Sequence, residues 1–268
     1  MSEGKKEILL GDCLELMKDI PSGSIDMILC DLPYGTTQLG WDCLLDMFEL
    51  WNEYHRVIKD NGPIVLTASQ PFTSKLVMSN IENFKYEWIW DKKMCSGFMA
   101  AKYRPLLAHE NILVFAKNKT IYNPLFTERT ETELKRFSHK FKEIESKTEH
   151  ASHLTLSNKS RDDAKMKNPS TLIRINGLVN SSKEKKQGLH PTQKPTELFE
   201  YLIKTYTNEN DLVLDNCAGS GTTAIACLNT NRQFIVMEKE QKYYDIILKR
   251  VGDFNKNFEL QTLFGNEM

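Results

Sequence analysis

From Leu212 to Glu238 the residues read strand, glycine loop, helix, strand, and that series narrows the fold more than any other stretch. Leu212-Val213-Leu214 is a short apolar run closed by Asp215. Asn216-Cys217-Ala218-Gly219-Ser220-Gly221 follows, then a helical stretch from Thr222 to Leu228, then Phe234-Ile235-Val236-Met237 ending at Glu238. Two apolar strands joined through a helix pair in parallel by a right-handed crossover. Ligands of such open sheets gather at the carboxyl ends of the strands.

Backbone can approach a ligand at Gly219 and Gly221, and Glu238 can take both hydroxyls of a ribose, so the unit reads as nucleoside-binding. Gly219-Ser220-Gly221-Thr222-Thr223-Ala224 also fits the dinucleotide fingerprint G-x-G-x-x-A, which keeps a nicotinamide-dependent oxidoreductase in view. Spacing argues against it, because Asn216, Cys217 and Ala218 intervene between the strand and the first glycine. A nucleoside triphosphate loop is excluded, since no Lys follows Gly221. Asp215 at the strand end suits a cationic ligand such as the methionine portion of S-adenosylmethionine.

The amino-terminal half alternates in the same way. Apolar runs at Glu7–Leu10, Ile25–Cys30 and Ile64–Thr67 predict strands. Met47, Leu50, Trp51, Tyr54, Val57 and Ile58 recur at helical spacing until Asn61-Gly62-Pro63, and Pro71–Ser79 reads as a second helix. Tyr86–Trp90 and Asn111–Ala116 complete this half, with Trp88 and Trp90 read as core and base stacking as their alternative. The β-α-β-α order indicates a parallel sheet covered on both faces. After Pro195, a helix with Phe199, Leu202, Ile203 and Tyr206 on one face precedes the glycine-loop strand, and Tyr243, Ile247 and Val251 mark a last helix.

Asp31-Leu32-Pro33-Tyr34 follows the apolar run ending at Cys30. An exocyclic base amine is a poor nucleophile because its lone pair is delocalised into the ring. Two acceptors and a stacking ring can pull that lone pair out of conjugation. The Asp31 carboxylate could accept one N–H and the Leu32 carbonyl the other, which Pro33 holds outward by extending the backbone before it. Tyr34 would stack an extruded base. Alone, a D-x-P-Y group arises by chance in roughly one chain in fifty of this size. His190-Pro191-Thr192-Gln193-Lys194-Pro195 removes chance as an account, because six fixed residues recur in on the order of one window in a hundred million.

With these three motifs the chain resembles the permuted amino-methyltransferases of DNA, the β class of the N6-adenine and N4-cytosine family. The resemblance spans everything except residues 119–187 and about the last fifteen. It implies a circularly permuted, Rossmann-like, S-adenosylmethionine-dependent α/β fold, with one seven-stranded sheet built from both ends of the chain and an inserted target-recognition region. It divides the chain into a catalytic half at 1–118, the insertion at 119–187, a cofactor half at 188–253 and a tail at 254–268. It places Asp12, beside Cys13, on the cofactor's adenine amino group, and His190, Thr192 and Lys194 around its methionine end, Lys194 against the carboxylate. Asp215, Ala218, Gly219, Ser220, Gly221, Thr222, Thr223 and Glu238 complete that site. Asn216-Cys217 stands where the family commonly has Pro-Phe.

Composition sets the remaining bounds. At 268 residues and 40% hydrophobic content the chain has ample length for a buried core. No signal peptide or membrane-spanning run is visible, so a cytoplasmic protein without membrane contact is expected. The six cysteines form no C-x-x-C pair and the six histidines show no ligand spacing, so no metal is expected. Residues 117–188 hold 16 Lys and Arg against 9 Asp and Glu, a surplus of seven that leaves −8 for the rest of a chain of net charge −1. Such a surplus is the footprint of a phosphate backbone or of a solvated insertion. Within it, Thr130-Glu131-Thr132-Glu133 is a capping box opening a helix with Leu134, Phe137, Phe141 and Ile144 on one face. That face is a candidate homodimer surface or an internal packing surface.

The function expected is site-specific methylation of adenine N6 in DNA, since Asp at the first motif position favours adenine over the Ser common in cytosine-N4 members. The alternatives are cytosine N4, an RNA amine, nicotinamide oxidoreduction and a non-catalytic DNA-binding module. Nothing in the residues speaks for or against a restriction nuclease partner.

Overall fold

A computed structural model describes residues 4–35, 45–136, 165–178 and 193–264, with side chains through residue 256. It divides into two compact units, one of residues 1–123 with 171–268 and one of 124–170. The larger unit is an α/β domain. Its elements are β1 (Lys6–Leu10), α1 (Cys13–Met17), β2 (Met27–Cys30), α2 (Met47–Val57), β3 (Ile64–Ala68), α3 (Phe72–Ser79), β4 (Phe84–Ser96) and β5 (Leu107–Phe115). The small unit contributes β6 (Thr127–Glu128) and β7 (Met166–Lys167), and the larger unit resumes with β8 (Leu172–Arg174), α4 (Thr196–Tyr206), β9 (Leu212–Asp215), α5 (Thr222–Asn229), β10 (Gln233–Glu238) and α6 (Gln241–Phe264).

Among the described residues the sheet has eight strands in the order β1-β10-β9-β2-β3-β5-β4-β8. β9 pairs in parallel with β2, Met27 beside Val213 and Ile28 beside Leu214, so two segments far apart in sequence share the sheet's centre. This is the permuted α/β arrangement that the resemblance implies. Two expectations are corrected. The sheet has eight strands rather than seven, because Leu172–Arg174 adds to β4 in parallel. It is also not wholly parallel: β5 runs antiparallel to both β3 and β4. The segment between β4 and β5 carries only a 3-10 turn, Phe98–Ala100, and a connection without a crossover helix returns the chain antiparallel.

Alternation along the strands builds two cores. Ile28 and Cys30 of β2 pack with Leu50, Tyr54 and Val57 of α2 on one face. Met27 and Leu29 point the other way and pack with Leu198, Phe199 and Leu202 of α4. Trp88 and Trp90 belong to this second core, their indole N–H groups donating to the Tyr206 hydroxyl at 2.7 Å and the Ile175 carbonyl at 2.9 Å. Asp46 caps α2 by accepting from the amides of Phe48 and Glu49. In the small unit the capping box forms as read: the Thr130 amide donates to Glu133 at 2.8 Å and the Glu133 amide to Thr130 Oγ1 at 3.3 Å. Phe137, Phe141 and Ile144 lie outside the described residues. The last helix runs on to Phe264, through most of the stretch expected as a tail.

Gly62, between α2 and β3, leaves no space for a side chain: a Cβ there would lie 2.7 Å from Ile58 and 2.8 Å from the Asp26 carbonyl oxygen. Gly62→Ala should therefore lower stability by about 1–3 kcal/mol in urea unfolding. A loss below about 0.5 kcal/mol would show that the turn relaxes freely.

Candidate active site

Of the residues singled out in the sequence, those that the structure describes gather at the carboxyl ends of β1, β10, β9 and β2, which are neighbours in the sheet, with Lys194 reaching Asp31 from just before α4. Gly219 and Gly221 take the left-handed backbone conformation, at φ 53 and 80. A Cβ on Gly221 would come within 2.9 Å of Ile247, so this loop passes close against α6. Glu238 fastens it. One carboxylate oxygen accepts from the Gly219 amide and the other from the Glu240 amide, both at 2.8 Å. Burial raises the Glu238 pKa, while these amide bonds pull the other way.

Asp215 is 3% exposed and braces the loop from beneath. It accepts from the Cys217 amide at 3.0 Å and from the Thr223 hydroxyl. Ala218, Ser220, Thr222 and Thr223 are buried, and Arg250 donates to the Ser220 carbonyl at 2.6 Å. Asn216, at the position where the family commonly has Pro, accepts from the Tyr54 hydroxyl at 2.5 Å and donates to the buried Cys13 sulfur at 3.4 Å. Asp12 caps α1 through the Leu14 amide and pairs at 3.3 Å with Lys239.

Across the β9–β2 seam lies a second cluster. Asp31 Oδ1 accepts from the Tyr34 hydroxyl at 2.8 Å and from Thr67 Oγ1, and Tyr34 also reaches Thr67 at 3.1 Å. Asp31 Oδ2 accepts from Lys194 Nζ at 2.7 Å. Lys194 is 7% exposed and has a second carboxylate, Glu110, at 3.4 Å. Burial works against the Lys194 ammonium, but Asp31, Tyr34 and Glu110 outweigh it and hold its pKa well above the usual lysine range. Leu32 buries its side chain, so only its main chain is left for chemistry. The Tyr34 ring stacks on Phe72, with centroids 5.3 Å apart and planes at 24°, and has Lys194 Nζ 5.5 Å from its centroid.

A carboxylate offers about four acceptor positions. Among the described residues, Thr67, Tyr34 and Lys194 take three of them, which leaves one on Oδ2 for an incoming donor. The cluster thus presents a fixed, charged acceptor.

Lys194, expected against the cofactor's methionine carboxylate, sits on Asp31. Asp215, expected to face a cationic ligand, points into the loop. His190 and Thr192 lie outside the described residues. Thr67, Phe72 and Glu110 were not singled out in the sequence. Thr67 is the one polar residue of the apolar run Ile64–Ala68, and Glu110 opens the run Asn111–Ala116, so a signal existed only in the break in hydrophobicity. Among the described residues no cluster of His, Cys, Asp and Glu could hold a metal. No helix among them is long and apolar enough to cross a membrane.

Comparison with known proteins agrees with this architecture. The N6/N4 DNA methylase family profile matches residues 25–249. Type II methyltransferase M.HpaI of Haemophilus parainfluenzae is 26% identical over 93% of this chain and 76% of its own length. DNA adenine methyltransferase YhdJ of Escherichia coli strain K12 is 28% identical over 92% of this chain and 82% of its own. The solved M1.HpyAVI–SAM complex is 26% identical with TM-score 0.58, covering 91% of this chain and 98% of that one. PvuII DNA methyltransferase, titled cytosine-N4-specific, shares the fold at 17% identity and TM-score 0.61, covering 91% and 85%.

Burial raises the Asp215 pKa to about 6 despite its hydrogen bonds. The folded state therefore holds a proton that the unfolded chain gives up between about pH 4 and 6, and stability from this group falls as pH rises through that window. Asp215→Asn should flatten this part of the pH dependence of the urea midpoint. A slope identical to that of the parent would show that the carboxyl titrates normally. By motif, sheet order and profile the chain belongs to the N6/N4 family of DNA methyltransferases.

Proposed function

We propose that the protein methylates the N6 amine of a flipped-out adenine at a specific DNA site, with Asp31 as the acceptor that directs the amine. The observation that carries this reading is the single open acceptor position on an Asp31 carboxylate held by Lys194, Thr67 and Tyr34. An amine N–H donated to Asp31 Oδ2 and a second donated to the Leu32 carbonyl would turn the nitrogen lone pair out of the ring. When bound, S-adenosylmethionine, the methyl donor of the family, would offer that nitrogen an electrophilic methyl, the N6–carbon bond forming as the sulfur–carbon bond breaks and S-adenosylhomocysteine being left.

One amine proton then passes to Asp31 and on to solvent. Positioning supplies most of the acceleration. A base that stacks on Tyr34 takes the place of Phe72 on that ring, while Lys194 stays on Asp31. Adenine is favoured over cytosine because Asp rather than Ser opens the motif, and because a relative at 28% identity is named a DNA adenine methyltransferase.

The donor set also fits the cofactor. Asp12 and Glu238 stand at the ends of adjacent strands, Asp215 braces the glycine loop beside them, and no Lys or Arg occurs from Asp215 through Asn231. Acidic surroundings suit a sulfonium and an ammonium, and Glu238 would also accept from a ribose hydroxyl. We assign Asp12, Cys13, Asp215, Glu238 and residues 218–223 to this site, and Asp31 through Tyr34 to the chemistry. The basic 119–187 segment is assigned to target recognition.

Nucleoside mass spectrometry of DNA from a methylation-deficient host tests the reaction. N6-methyladenine is expected with the parent protein and absent with Asp31→Ala, while N4-methylcytosine would move the assignment to the sister activity. Lys194→Met separates two roles for that residue. Single-turnover methylation at saturating cofactor should fall roughly 100-fold, with cofactor affinity kept within about threefold. A tenfold loss of affinity with a normal rate would return Lys194 to the methionine carboxylate.

A further inference from the structure

β4 and β5 outgrow the edge of the sheet on which Asp31 stands. β3 ends at Ala68, level with Asn111 of β5 and Ile89 of β4. Beyond that level β4 continues through Trp90–Ser96 and β5 approaches through Leu107–Glu110, closing at the 3-10 turn Phe98–Ala100. The root of this arm touches the catalytic cluster, for Glu110 lies opposite Trp90 and 3.4 Å from Lys194.

The tip is apolar and in water. Met99 is 100% exposed, Tyr103 89%, Phe98 68% and Met94 42%. Scattered exposed apolar residues need no explanation, but these cluster on one projection. Around them stand Lys93, Lys102 and Arg104, all exposed, and no Asp or Glu occurs from Lys92 through His109. The backbone here is bent rather than extended: Lys93 has φ 53 and Gly97 φ 82, and the β4–β5 register shifts between Asp91 and Ser96. A Cβ on Gly97 would lie 3.4 Å from the Arg104 guanidinium, so that cation folds over the turn.

We propose that this arm, formed by residues outside the 119–187 stretch, is a duplex-contacting wedge that fills or braces the DNA beside the extruded base. The proposal rests on the DNA methyltransferase reading and adds a surface to it. Cations flanking exposed aromatic and thioether side chains, with no acid among them, match a polyanion that also offers flat apolar faces. Lys93, Lys102 and Arg104 reach phosphates. Phe98, Met99 and Tyr103 meet bases, since unstacking a nucleotide opens a step that an apolar side chain can occupy.

The test is fluorescence anisotropy of the full-length protein on a labelled random-sequence duplex across a salt series. Replacing Lys93, Lys102 and Arg104 together by Gln should make the slope of log affinity against log salt shallower by roughly 2–3. Phe98→Ala with Tyr103→Ala should weaken binding roughly tenfold or more, with the slope unchanged. Cofactor affinity and thermal midpoint should stay at the parent's values in both. Should the aromatic variant fold poorly, the exposed charge variant still decides the matter through its slope. Parent-like affinity and slope in both variants would overturn the proposal. So would sedimentation showing that the aromatic variant loses self-association while keeping DNA affinity, which would make the tip a contact with a second copy. Failure of the parent protein itself to bind any duplex would instead strike the DNA methyltransferase reading.

Discussion

The parallel pairing of β2 with β9 is the contact on which the whole site depends. It sets Ile28 beside Leu214 and thereby brings the strand that ends in Asp31 next to the strand that ends in Asp215. The order of these strands along the chain is irrelevant to that outcome. A permuted chain can therefore carry the same chemistry as an unpermuted one, provided both strands are buried and register is fixed by apolar alternation. Here both are: Met27, Ile28, Leu29, Val213 and Leu214 are fully buried.

Putting two carboxylates at one seam is costly, and the surroundings answer it differently on the two sides. Asp215 is satisfied by neutral donors, Thr223 and the Cys217 amide, and its pKa rises to about 6 because burial outweighs them. Asp31 is given a buried cation. Lys194 comes from a segment 163 residues away, and it is shared with Glu110, which in turn pairs with Lys92 at 3.2 Å. Such pairing matters because removing one member of a buried pair leaves the other uncompensated. The same chain of contacts ties the Asp31 cluster to the root of the β4–β5 arm.

Much of this fold was legible in the residues because its strands are short, wholly apolar and bounded by turns. β2, β3, β9 and β10 were read nearly to the residue, and the helix at Met47 was marked by its periodicity and its Asn61-Gly62 stop. What was not legible depended on distant partners. Leu172-Ile173-Arg174 is too short to signal a strand and exists only because β4 offers it an edge. The β4–β5 return has no two-residue hairpin signature, so nothing local announced that β5 runs antiparallel to its neighbours. Thr67 and Glu110 look unremarkable locally and matter only once β2, β3 and β5 are adjacent. Lys194 was noticed through its motif, yet which carboxylate it meets is decided in three dimensions.

The most direct test of the central claim is a crystal structure of the protein with duplex DNA and the unreactive cofactor analogue sinefungin. The account predicts an extruded adenine whose amine donates to Asp31 Oδ2 and the Leu32 carbonyl, lying about 3–3.5 Å from the analogue's amine that stands for the transferring methyl. Lys194 should remain on Asp31 in that complex. An amine held by other groups, with Asp31 turned away from the base, would contradict it.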